Sequence, residues 1–170
     1  MPRRLKIAAL AAVALAIAAA PLAAGSTRSA RTARAVTPPP SPAQVVRTRV
    51  AGLREMGAAF KNVMDGLRGG DPQTVLIQQS ARTIKSSSQA MYGWFPAGSG
   101  PAPGLKTSAK PEIWTKPAEF RAAQDGLARA ADALQLAATS GNADAIRGAA
   151  RGLGGACKTC HDQFRVPPQQ

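Results

Sequence analysis

The sequence predicts an all-α fold, an antiparallel four-helix bundle. Three observations carry that prediction. Four segments repeat apolar residues at steps of three and four, the spacing that lines one face of a helix. Each is bounded by residues that start or stop helices. No strand signal rises above noise along the 170 residues.

The first segment opens at Ser41, with Pro42 at the first helical position and Gln44 at the third, a capping-box arrangement. Val46, Val50, Leu53, Met56, Phe60, Val63 and Leu67 then form one stripe, and Gly69-Gly70 stops it. The second starts at Asp71-Pro72 and carries a weaker stripe of Ile77, Ala81, Ile84, Ser88 and Met91. The third follows Thr115-Lys116-Pro117; Phe120, Leu127 and Leu134 are spaced by heptads, and Ser140-Gly141 ends it. The fourth begins near Asn142 and aligns Ile146, Ala149, Leu153, Cys157, Cys160 and Phe164. Gly152, Gly154 and Gly155 sit in its middle, each costing roughly 1 kcal/mol relative to alanine. Side chains that small let a neighbouring helix or a flat group come close. Residues 92–113 are the longest connection, and Tyr92, Trp94, Phe95 and Trp114 lie in or beside it among prolines and glycines. A connection of that length usually has a function; here it can lay aromatic rings against a bound group.

All the cysteine and histidine of the chain falls in Cys157-Lys158-Thr159-Cys160-His161. C-x-x-C-H is the covalent attachment signature of c-type haem. Each thiol adds across a vinyl group to form a thioether, and the adjacent imidazole ligates the iron. Positions i, i+3 and i+4 share a helix face, so one turn near the end of the fourth helix can stitch the porphyrin and hold its metal. Other readings fare worse. A structural zinc site wants four ligands, and the chain has three Cys and His residues in all. A redox C-x-x-C belongs in a βαβ setting. A disulfide across the motif would be strained and would leave His161 without a purpose. The expected cofactor is one covalent haem c. A second imidazole is missing, and the nine carboxylates form no evident pair, so the chain is not expected to be an enzyme.

Arg3, Arg4 and Lys6 precede an Ala/Leu/Ile/Val run that extends to Ala20 and breaks at Pro21. That order is a signal peptide over residues 1–24, with a second cleavage site as late as residue 35. As a retained anchor the run is too short and Ala-rich, because spanning takes about 20 strongly apolar residues. No stable membrane insertion is expected after cleavage, and the periplasm is the expected compartment. Residues 25–40 read as a disordered linker, 41–166 as the bundle and 167–170 as a tail. The formal charge of +13 falls by three to +10 on cleavage after residue 24, and to +7 after residue 35. A mildly basic surface suits an acidic redox partner. Scattered charges and an aromatic content of 4% argue against nucleic acid.

The run Gly155-Ala156-Cys157-Lys158-Thr159-Cys160-His161-Asp162-Gln163-Phe164-Arg165 resembles the class II c-type cytochromes: cytochrome c prime and its low-spin, methionine-ligated relatives. Trp94-Phe95-Pro96, Pro111-Glu112-Ile113-Trp114 with Phe120, and Arg49-x-x-x-Leu53 add to the resemblance, which covers about residues 43–166. It implies thioethers at Cys157 and Cys160, a proximal ligand at His161, and Arg165 flanking the proximal face. It also implies Arg49 near the propionates and a haem pocket including Leu53, Met56, Phe60, Trp114 and Phe164. Leu53 falls where the low-spin relatives carry a liganding methionine; Met56, one turn on, is the alternative sixth ligand. Two functions follow from the resemblance. One is one-electron transfer with periplasmic redox proteins. The alternative is a five-coordinate iron that binds nitric oxide or carbon monoxide. Family members often pair through their first helices, so a homodimer is a further expectation.

Overall fold

Ser41 starts the bundle as its sequence suggests. Its hydroxyl accepts the Gln44 N–H at 3.3 Å, while its own N–H donates to Gln44 Oε1 at 2.6 Å. The computed structural model describes residues 39–69 and 71–167. The expected signal peptide, nearly all of the expected linker and the last three residues lie outside that range.

Helix α1 runs Pro42–Gly66 and buries Val46, Arg49, Met56, Ala59 and Val63. Helix α2, Thr74–Ala90, starts later than Asp71-Pro72 implies. The reason is a tight turn: Gln73 N–H donates to Gly66 O at 3.0 Å and Thr74 N–H to Pro72 O at 2.8 Å. The first of these bonds ties the connection to the end of α1, and the second turns the chain just before the new helix begins. A 3-10 turn, Met91–Gly93, follows α2. The long connection then contains a short helix, α3, at Glu112–Thr115, where the sequence predicts only an extended crossover. Helix α4 is Pro117–Ser140, closed by Gly141 at φ 70°, a left-handed cap that glycine adopts without penalty. Asn142 then accepts the Ala145 N–H at 2.9 Å and starts α5, Ala143–Phe164.

The four long helices are those expected. Neighbours pack in the order α1 on α2, α2 on α4, and α4 on α5. Ile77, Ile84, Leu134, Ile146 and Leu153 fill the interior. The α1–α5 seam lacks comparable packing, and that is where the site lies. The crossover folds down onto the end of α5: Lys110 N–H donates to Phe164 O at 2.9 Å, and Val166 N–H to Ser108 O at 2.8 Å. Ala109 and Arg165 thereby form an antiparallel bridge. Among the described residues, no helix is long and apolar enough to cross a membrane.

Candidate cofactor site

Where α1 and α5 part, they enclose a cavity of about 470 Å³. That lies within the roughly 300–1,000 Å³ typical of small-molecule and cofactor pockets. Its α5 wall holds Leu153, Cys157, Cys160, His161 and Phe164, with Arg165 just beyond; the α1 wall holds Val50, Leu53, Met56, Gly57 and Phe60, with Arg49 and Arg54 beside them. Phe95, Ile113 and Phe120 back it from the core, and Thr107 to Ala109 of the crossover cover one end. A second cleft shares Phe60, Cys157, His161 and Arg165 and continues outward past Lys158, Asp162 and Val166. The sequence pattern explains the α5 wall, since Leu153, Cys157, Cys160 and Phe164 recur at helical spacing on one face.

Both cysteines are free thiols and half-buried. Burial pushes the Cys157 thiol up and the Cys160 thiol up to about 11, with the neighbouring Cys157 adding to the latter. Such thiols are protonated at neutral pH and lack the thiolate character of a redox-active pair. Burial, and then the Arg165 charge, pull the His161 imidazole below its ordinary value, against Asp162. It is therefore mostly neutral at pH 7, the form that binds metals. His161 itself lies on the exposed lip of the cavity.

Arg49, which the resemblance implies near the propionates, is a buried cation. It is 1% exposed, among the most buried large side chains. Its hydrogen-bond partners are neutral: Ser99 Oγ at 3.3 Å, Ser99 O at 3.1 Å and Thr107 Oγ1 at 3.0 Å. The guanidinium carbon stands 4.8 Å from the Phe95 ring centroid and 5.7 Å from that of Trp114. Burial lowers its pKa, yet a guanidinium stays protonated in proteins. A buried cation without a carboxylate is costly unless an anion reaches it. A flat apolar group bearing carboxylates meets this requirement, so the residues present fit a haem: two thiols and an imidazole on one wall, hydrocarbon on the other, and a cation at the edge.

Of the pocket residues expected from sequence, Arg49, Leu53, Met56, Phe60, Phe164 and Arg165 line the cavity together with the motif. Trp114 does not. It stands one layer back, its Nε1–H donating to Pro96 O at 3.0 Å and its ring packed near Gly100 and Phe95. Tyr92 also points elsewhere, donating its hydroxyl to Asp125 Oδ1 at 2.7 Å. Of Gly152, Gly154 and Gly155, Gly154 alone meets the opposite helix: a Cβ there would lie 3.7 Å from Phe60 Cζ. Thr107, Ser108 and Ala109 were missed, because only tertiary folding brings that part of the crossover to the site.

A family model described as Cytochrome C' matches residues 44–165. Cytochrome c' of Pararhodospirillum photometricum is 34% identical over 125 residues, covering 74% of this chain and 98% of its own. The crystal structure of cytochrome c' from Thermochromatium tepidum superposes with a TM-score of 0.70 at 28% identity, over 75% of this chain and 98% of that one. A nitric oxide complex of a variant cytochrome c prime from Alcaligenes xylosoxidans matches with a TM-score of 0.68 at 26% identity, over 75% and 98% of the two chains. Another variant of that protein has been solved with carbon monoxide bound. Together with the bundle and its cavity, these matches mean that the chain belongs to the cytochrome c' family, whose proteins bind one covalent haem c.

Proposed function

We propose that Cys157 and Cys160 carry the two thioethers, that His161 is the proximal iron ligand, and that the iron is left open on the α1 side to nitric oxide or carbon monoxide. The observation that carries this reading is the make-up of the α1 wall. Val50, Leu53 and Phe60 present hydrocarbon to the wall that holds the thiols and the imidazole. Leucine cannot coordinate a metal, so Leu53 acts as a lid that admits small neutral ligands. Met56 also borders the cavity and is buried, which makes its thioether the competing sixth ligand. When bound, haem c supplies a ferric–ferrous couple whose potential and gas access follow from the axial ligands and the polarity of the pocket. The chain's residues do the rest: the motif fixes the group to α5, Arg49 offers a charge-assisted donor to a carboxylate, and the apolar wall keeps water out.

One-electron exchange with a periplasmic partner is the companion reading. The exposure of His161 and Lys158 at the outer lip of α5 favours it, because electrons need a short path to the surface. The same reading includes export with residues 1–24 as leader, and pairing of two copies through α1.

Optical and EPR spectra of the purified holoprotein test the open iron. High-spin ferric and ferrous forms are expected. A low-spin spectrum with a methionine–iron charge-transfer band would refute the lid and promote Met56; Met56→Ala should then convert the haem to high spin. Mass spectrometry of Cys157→Ala and Cys160→Ala checks the attachment, since each should retain a single thioether.

A further inference from the structure

A helix leaves its last four carbonyls without intrahelical donors. In α5 these belong to Asp162, Gln163, Phe164 and Arg165, so the turn that directly follows the lone imidazole is the turn most prone to fray. Helix α4 solves the same problem with Gly141 in the left-handed conformation. Helix α5 has no such glycine: its cap residue Arg165 is extended, at φ −119° and ψ 132°, with its N–H on His161 O. Two of the remaining carbonyls are taken by one residue of the crossover. The Lys110 N–H donates to Phe164 O at 2.9 Å, and Lys110 Nζ donates to Asp162 O at 3.0 Å. The Asp162 carboxylate is occupied elsewhere, by Lys158 Nζ at 2.6 Å. Lys110 therefore acts on the helix end itself, where a cation also meets the negative end of the helix dipole. The Ala109–Arg165 bridge holds its backbone in place.

We propose that Lys110 is a positioning residue for His161: it caps the carboxyl end of α5 from the crossover and so fixes the turn that presents the imidazole to the cavity. The proposal rests on His161 being the proximal ligand. It also gives the crossover a task that its covering of the cavity does not explain, because the loop that closes one end of the cavity also sets the backbone of the opposite wall.

The test compares wild-type, Lys110→Met and Lys110→Arg holoproteins. Methionine keeps the backbone bond and the stem but removes the ammonium donor. Amide exchange of residues 162–166 should accelerate about tenfold in K110M, the loss expected for one charge-assisted bond, while α1 and α4 keep wild-type rates. The iron–imidazole stretching band of the ferrous protein, read by resonance Raman, should shift and broaden in K110M and return in K110R. Wild-type exchange and an unchanged band in K110M would overturn the proposal. So would acceleration spread evenly over the bundle, which would mark Lys110 as a general stabiliser. Absence of an iron–imidazole band from a wild-type holoprotein whose optical spectrum is five-coordinate would instead overturn the assignment of His161, and this proposal with it.

Discussion

Adding one methyl group at Gly52 and at Gly152 should move stability in opposite directions. Both glycines lie inside long helices, so alanine is conformationally favoured at each by about 0.8–1 kcal/mol. They differ in what the new Cβ would meet. At Gly152 nothing stands within 4 Å, so Gly152→Ala should gain close to the full propensity term. At Gly52 the Cβ would fall 2.4 Å from both Cη2 and Cζ2 of Trp94, more than 1 Å inside the ordinary contact distance of about 3.5–4.0 Å. An indole is rigid and cannot yield at its edge, so either the whole ring or the helix must move. Overpacking of this kind costs about 1–3 kcal/mol, which outweighs the propensity gain. Gly52→Ala should therefore lose about 1 kcal/mol net, and Gly152→Ala gain about as much. At roughly 4 °C per kcal/mol for a domain of this size, the two melting temperatures should straddle the wild type by several degrees. Far-UV circular dichroism of the holoproteins measures this, and tryptophan fluorescence should change in G52A alone. If both variants shift together, in either direction, the close approach of Trp94 to α1 does not hold.

Two further outcomes follow from the polar groups. Arg49→Met removes the donors to Ser99 and Thr107 and strands their acceptors, which should cost roughly 2–4 kcal/mol; exchange at residues 99–107 should rise more than elsewhere, and protection equal to wild type there would contradict the anchoring role. Tyr92 is the sole tyrosine, and its hydrogen bond to Asp125, then burial, raise its pKa above 10 against the charges of Arg121 and Arg129. The protonated phenol is the form the fold favours, so its contribution is complete below pH 10 and is lost as pH rises through the raised value. Tyrosinate absorbance, taken as the difference from Tyr92→Phe, should thus titrate above the ordinary value; a midpoint at or below 10 would show that the Asp125 contact is absent in solution.

Local chemistry was readable; tertiary contacts were not. The capping box of Ser41 and Gln44 is realised because both partners lie within one turn. The stripe of α2 is buried nearly as written, and even Ser88 is inside, its hydroxyl donating to Lys85 O at 2.8 Å. The same periodicity could not foresee Arg49 or Gln124 in the interior. Gln124 is buried because its Nε2 donates to Met91 O at 3.2 Å, a contact between residues 33 apart along the chain. The resemblance implies Trp114 in the pocket, yet Phe95, T-stacked on Phe120 at 4.9 Å, lines the cavity and Trp114 does not. Which of several aromatic residues faces a cavity depends on how the crossover folds, and period counting carries no information about that.

The position of the cavity follows from a small number of side chains. Helices α1 and α5 run antiparallel, so moving toward the carboxyl end of α5 means moving toward the amino end of α1. They approach where Phe60 lies over Gly154, close enough that an added Cβ would stand in van der Waals contact, 3.7 Å from Phe60 Cζ. One turn further along α5 comes Cys157, and further back along α1 come Met56 and Leu53; from this point the cavity takes the space that side-chain packing fills elsewhere. At its far end the charge of Arg49 is buried among neutral partners. A bundle built of hydrocarbon alone would close this seam and expel that charge. An open seam with a cation at one end and two thiols and an imidazole along one wall makes sense in a fold whose core is completed by a flat, carboxylate-bearing group.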